Sequence, residues 1–239
     1  MNFNIIALKT IKHSDTQTIL TAYSRELGRV SLSLPASGGK AAARVRALTM
    51  PFGIIECMSD ARPGREIMPL RQPVPTVTLS SLHADPVKRM VAMFLAEILS
   101  VALPAGVTDA SLYDFIVAAV RLLDVADSRR TANFHICFLL NLARHLGIEP
   151  DVSTFVPGSL LDVADGRWRT TMPLHRNYLP PEKSAVAYKL MRMTFENMHR
   201  FRLNRDGRNA ILDAILDYYS LHYVTMRRLK SLDILRALL

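Results

Sequence analysis

Cysteine is scarce in this sequence: two residues in 239, Cys57 and Cys137, each inside an apolar run. That excludes a disulfide framework, points to a reducing compartment and excludes a zinc site built from four cysteines. Long apolar runs are missing too. The most apolar helical stretch, MVAMFLAEILSVAL, is shorter than the roughly 20 residues of a membrane span and carries Glu97. The start, MNFNIIALKTIKHSD, has no basic stretch followed by a long apolar core, so no signal peptide is expected and the chain reads as cytoplasmic.

Enzyme signatures are equally sparse. No G-x-G-x-x-G occurs, and Ser159 follows Gly158 but precedes Leu160 and Leu161, which is not a nucleophile elbow. SGGKAAAR departs from a phosphate-binding loop, with Leu34 where the first glycine belongs and Ala41 where Ser or Thr belongs. The seven histidines never fall at i, i+4 on a helix, so neither a metal nor any other cofactor is expected. Asp213 and Asp217 sit one helical turn apart, and a solvated face is the better reading of them than paired acids. The chain is read as a binding protein, not an enzyme.

What is present in excess is positive charge. The formal net charge is +9, which favours an anionic partner. Residues 1–82 carry ten Lys/Arg against five Asp/Glu, residues 83–150 six against seven, and residues 151–239 fourteen against nine. The two ends are the electrostatic surfaces.

The first 80 residues read as short strands: FNIIALKT, TILTAYS, RVSLSL after Gly28, FGIIECM and REIMPL. Five strands with one basic interruption suit a small closed barrel. RQPVPTVTLSSL reads as a linker or exit strand. From Asp85 the period becomes helical, with Asp85 as cap and Pro86 at the first helical position. Thr108 is expected to cap a second helix, and TANFHICFLLNLARHLG reads as a central buried one. LLDVADGRWRTT is expected to be a hairpin turning at Asp165-Gly166. Helices then run over 182–201 and 208–223, with a last one capped by Ser231. The expectation is an α+β chain: a barrel over 1–80 and an all-α helical domain over 81–239 with an irregular hairpin insertion at about 151–180.

The candidate nucleic-acid set is Lys9, Lys12, Arg25, Arg29, Lys40, Arg44 and Arg46. LPASGGKAAARVRALTMPF holds no acidic residue, and a short helical turn through AAARVRAL puts Lys40 and Arg44 on one side, with alanines keeping bulk low beside a sugar-phosphate backbone. The other reading of this stretch is a solvated loop. Phe3, Tyr23 and Phe52 read as core, which leaves binding to phosphate contacts, blind to base sequence and weakened by salt. Trp168, between Arg167 and Arg169, either stacks on a base or seals the hairpin, and the pattern favours sealing. A second candidate surface is a notch at Phe134 and Phe138 rimmed by Arg121, Arg129, Arg130 and Arg144, suited to an acidic peptide ending in an aromatic residue. Ordinary helix amphipathicity explains the same pattern.

The segments ALKTIKHSDTQTILTAYSRELGRVSL, RVRALTMPFGIIEC, NFHICFLLNLARHLGIEPD, LLDVADGRW and YYSLHY…LKSLDIL, in this order over more than 200 residues, resemble the bacterial recombination mediator RecO family, in the form found in Bacteroidetes-type bacteria. The resemblance implies an N-terminal five-stranded oligonucleotide-binding (OB-fold) barrel, a helical domain, and in some members a zinc ion. It implies DNA repair and recombination by the RecF pathway: binding single- and double-stranded DNA, annealing complementary strands and helping RecA replace single-stranded-DNA-binding protein (SSB). The implied partners are DNA, RecR and the acidic C-terminal tail of SSB, the implied location the cytoplasm near the nucleoid, and no bond-breaking activity is implied. Residues 151–176 lack the zinc cysteines, so the metal is not carried over. The loop is thinner in cations than is common in the family, a deficit Arg62, Arg65 and Arg71 are placed to offset. The alternative to a DNA partner is an RNA- or ribosome-associated barrel protein.

Overall fold

The computed structural model describes residues 1–15, 17–35, 38–59, 66–224, 226 and 229–238, the side chains of 35, 128 and 129 excepted. Arg62, Arg65 and the Arg129 side chain lie outside the described residues. The chain packs as two compact units, residues 1–127 with 229–239, and residues 128–228.

The first unit opens with β1 (Asn2–Lys12), β2 (Gln17–Ser24), β3 (Gly28–Pro35), α1 (Lys40–Leu48), β4 (Ile54–Met58), β5 (Ile67–Pro69) and β6 (Arg71–Pro75). The strands form one curled sheet in the order β5-β3-β2-β1-β4-β6. Alternation along each strand sends Phe3, Ile5, Ala7, Leu20, Leu32, Leu34, Ile55 and Met68 into one apolar cluster. Phe3, Tyr23 and Phe52 are all buried, as expected for core aromatics.

Six strands stand where five were expected. The last run is divided at Leu70: Ile67–Pro69 pairs with β3 in parallel, whereas Arg71–Pro75 pairs with β4 antiparallel. Pro69, Pro73 and Pro75 supply no N–H, and Gln72 takes a φ of 48°, so the run cannot continue along one partner. The two edge strands are thus joined through Leu70 alone, and the proline-rich stretch is sheet in its first half, not linker.

Gly28 turns β2 into β3 with φ +70°, and a Cβ there would lie 2.3 Å from the Val107 carbonyl oxygen. Both the left-handed backbone and the close approach demand glycine. Gly28→Ala is expected to destabilise this unit by about 2 kcal/mol or more, read as a lowered denaturant midpoint at unchanged slope.

Helices α2 (Pro86–Ala102), α3 (Ala110–Val125) and α7 (Leu232–Leu238) complete this unit. Asp85 caps α2 by accepting from the Val87 and Lys88 amides at 2.8 and 3.1 Å. The cap of α3 is Asp109 rather than Thr108, its carboxylate accepting from the Leu112 amide at 2.9 Å; a carboxylate at the N-terminus also has the helix dipole in its favour. Glu97 on α2 is a hub. Its Oε2 accepts from the Ser231 amide at 3.0 Å and hydroxyl at 2.6 Å at the head of α7, and its Oε1 lies 3.4 Å from Lys9 Nζ. Burial pushes this carboxyl up, but the Ser231 hydrogen bonds and the Lys9 charge outweigh it and hold it below the usual range.

The second unit holds α4 (Ser128–His145), a small sheet of β7 (Leu160–Asp162), β8 (Arg167–Arg169) and β9 (Tyr178–Leu179), then α5 (Pro181–Leu190) and α6 (Arg205–His222). Helix α4 is the buried central helix, with Phe134, Ile136, Cys137, Phe138, Leu139 and Leu142 all fully enclosed. Trp168 is sealed in, its Nε1 donating to the Ser184 carbonyl at 3.3 Å and its ring edge-on to Phe155 and Tyr188. It is not available to stack on a base.

Two local expectations change. The β7–β8 turn has four residues, 163–166, not two, because Asp162 Oδ1 accepts from the Ala164 and Asp165 amides and Gly166 takes φ 67°. The helix expected over 182–201 stops at Leu190. Asn197 bonds the Thr194 amide and the Arg192 carbonyl, and Arg144 Nη2 donates to the Met191 carbonyl. These side-chain bonds replace the helical ladder, and residues 191–204 form an open run with a single 3-10 turn, Met198–Arg200.

Candidate nucleic-acid interface

The stretch between β3 and β4 is a helix, α1, where a loop with at most a helical turn was expected. Ala42, Val45 and Leu48 turn inward, Val45 and Leu48 packing on the strand cluster. The chain leaves α1 through a tight return. Phe52 adopts φ 67°, its amide donates to the Ala7 carbonyl at 2.7 Å, and the Ala7 amide donates to the Gly53 carbonyl at 2.8 Å. A Cβ on Gly53 would come within 2.1 Å of the Leu48 carbonyl oxygen, so glycine is required for this return. His83 adds a 2.9 Å contact from Nε2 to the Pro51 carbonyl oxygen. Helix α1 is therefore fixed against the middle of β1.

Its outer surface carries Lys40, Arg44 and Arg46, all exposed. None of the three has an ion-pair or hydrogen-bond partner among the described residues. At about 100° per residue, Arg44 lies about 40° from Lys40 around the helix axis and Arg46 about 120° to the other side. Lys40 and Arg44 form one edge of the exposed arc and Arg46 the opposite edge, with Ala43 and Ala47 between them. The first turn has no acidic side chain, and the cap residue, Gly39, makes no side-chain bond. Free amides and a Lys charge therefore share the N-terminal end of α1, which an anion stabilises.

The other four candidate cations are engaged. Lys9 faces Glu97, Lys12 lies 2.8 Å from Asp15, and Arg25 pairs with Asp114 while lying over the Tyr113 ring at 5.8 Å. Arg29 Nε donates to the Leu103 carbonyl at 2.6 Å. Lys12 and Asp15 are both largely exposed, so this pair exchanges readily for a phosphate. Lys9 and Arg29 hold structure. Arg71 is exposed on β6.

The candidate peptide notch is not open as expected. Phe134 and Phe138 are 0% exposed, because the middle of α4, from Asn133 to Leu140, is enclosed on every face. Arg144 is bound to Glu149 at 2.6 Å and to the Met191 carbonyl. Arg130 stands near Glu196, whose carboxyl sits below the usual range through the Thr194 side-chain bond first and the Arg130 charge last. Arg121 is exposed on α3, in the first unit.

Asp213 and Asp217 both lie exposed on α6. Burial pushes both cysteine thiols up to about 12, far from thiolate chemistry. Among the described residues no three His, Cys, Asp or Glu side chains come together as a metal site, and no helix is long and apolar enough to cross a membrane.

One feature escaped the sequence reading. Residues 199–208, HRFRLNRDGR, hold His199, Arg200, Arg202, Arg205 and Arg208 against the single acid Asp206. Its signal is local charge density, which a continuous helix over 182–201 hides by spreading these residues around its axis.

A family model described as Recombination protein O C terminal matches residues 83–233. The chain is 34% identical over 233 residues to a DNA repair protein RecO of Phocaeicola vulgatus, covering 98% of this chain and 96% of that one. It is 35% identical over 243 residues to the protein of that name from Porphyromonas gingivalis, and 32% over 234 residues to that of Bacteroides fragilis, with the same 98% and 96% coverage. With its curled leading sheet and largely helical remainder, and with likeness along almost its whole length, this chain belongs to the RecO family.

Proposed function

We propose that the protein acts in DNA repair and homologous recombination as a non-catalytic DNA-binding mediator. Residues 1–80 serve as an oligonucleotide-binding barrel, in which β5 and β6 together stand for the fifth strand, and residues 81–239 serve as the helical partner-binding domain. The observation that carries the reading is α1: a firmly seated helix whose exposed Lys40, Arg44 and Arg46 have no ion-pair or hydrogen-bond partner among the described residues. Such a surface attracts phosphate and reads no base edges. With Phe3, Tyr23 and Phe52 buried, no ring of the leading sheet among these competes for bases.

A surface of this kind supports strand annealing. It lowers the repulsion between two phosphate backbones while base edges stay free to pair. Assistance to RecA on SSB-coated DNA, and contacts with RecR and the acidic SSB tail in the cytoplasm, follow from family membership and are part of the proposal. The tail has no open ring at Phe134 or Phe138 to dock on, so exposed Arg121 is the member of that set placed to meet it.

The test is anisotropy of a labelled single strand across a salt series. Contacts from Lys40, Arg44 and Arg46 give a log–log slope of about −2 for single-stranded DNA, and about −3 if Lys12 joins them. A flat salt dependence, or retention on structured RNA in preference to DNA, would overturn the reading.

A further inference from the structure

The second unit contains a cavity of about 370 Å³ lined by Asn133, His199, Phe201, Arg202, Leu203 and Arg208. Its wall is the open run after α5, and that run is held in place. Asn133 on α4 donates through Nδ2 to the Met198 carbonyl at 3.0 Å and to the Phe201 carbonyl at 2.8 Å. Arg208, in the first turn of α6, donates to the Leu203 carbonyl at 2.7 Å. The cavity is therefore a built shape.

Its chemistry is one-sided. The side chains of His199 and Arg202 on the wall, and of Arg200 between them in the chain, are exposed and make no ion pair or hydrogen bond among the described residues. Burial first, and then the charge of neighbouring Arg205, hold Arg208 below the usual arginine range. Phe201 and Leu203 add half-buried apolar surface among the cations. Cations beside an aromatic ring match a nucleotide unit, whose phosphates pair with guanidinium groups while its base lies on the ring. A purely apolar ligand would leave the charges unpaired, and a free inorganic anion would leave Phe201 unused.

We infer that this cavity is a second DNA site, separate from α1, which takes a nucleotide of a single strand with its phosphates on His199 and Arg202, Arg200 adding charge beside them in the chain, and its base against Phe201. The inference borrows from the proposed function only the identity of the polyanion.

The experiment uses the full chain and a short oligothymidylate containing 5-iododeoxyuridine. At low salt the wild type is expected to bind two oligonucleotides per chain, with photo-crosslinks in residues 198–203. Arg200→Glu/Arg202→Glu is expected to bind one, with affinity at the remaining site within about twofold of wild type and the 198–203 crosslink lost. Arg208 is left intact because it holds the wall. Unchanged stoichiometry in this variant, or no crosslink in 198–203 of the wild type, overturns the inference. So does protection of Arg202 from phenylglyoxal by an acidic peptide ending in an aromatic residue but not by the oligonucleotide. Reversal of Lys40, Arg44 and Arg46 is the control: if that variant still binds two strands, the α1 reading fails while the cavity stands.

Discussion

Reversing Lys40, Arg44 and Arg46 to glutamate lowers affinity for single-stranded DNA by about 100-fold at low salt and flattens the salt slope by about two. The size follows from the count of lost phosphate contacts, each exchanged for a repulsive one. The fold is expected to survive, since all three side chains are exposed and the helix is anchored by Ala42, Val45, Leu48 and the Phe52 return. Anisotropy measures the affinity and circular dichroism verifies the fold. Reversing Lys12 alone costs far less, because one contact is lost instead of three and Asp15 already engages that ammonium group. Equal losses for Lys12 and for the triple variant would mean that the contact lies at the β1–β2 tip instead of α1.

The second large effect is on acid stability. His135 is wholly enclosed in α4, and burial first, then the Arg208 charge, lowers its pKa to about 3. In the unfolded chain it titrates near 6.5. The unfolded state therefore binds the proton that the folded state refuses, and stability falls as pH drops below about 6.5. Between pH 7.5 and pH 5 the second unit is expected to lose about 2 kcal/mol from this group alone. Urea midpoints at the two pH values measure it. His135→Gln, which cannot take the proton, is expected to remove most of that difference even if it lowers stability at pH 7.5. A variant with the full acid sensitivity of the wild type would assign the effect to other groups.

Much of the fold was legible in local pattern. The strand alternation of Leu32 and Leu34, the Asp85-Pro86 start of α2 and the enclosed apolar faces of α4 are set by residues within a turn or two of one another. What was not legible depended on distant partners. Four of the seven candidate cations are engaged, and three of those contacts reach Glu97, Leu103 and Asp114, far along the chain. Nothing near Lys9, Arg25 or Arg29 announces them. The sixth strand arises because two different neighbours claim the two halves of one proline-rich run. The end of α5 was missed because Asn197 and Arg144, outside the helix, take over its backbone groups. That miss also concealed the cavity, since a regular helix over 182–201 would have left no open wall for Arg202 and Phe201 to line.

The return of residues 229–239 to the first unit has a bearing on biosynthesis. Glu97 waits on α2 for Ser231, which is translated 134 residues later. The leading unit therefore emerges from the ribosome unfinished, and its last helix can seat only after the whole of the inserted unit has been made. Chains halted within that insertion would present an unsatisfied carboxylate and bare α2 surface, the kind of defect by which chaperones and proteases sort incomplete products.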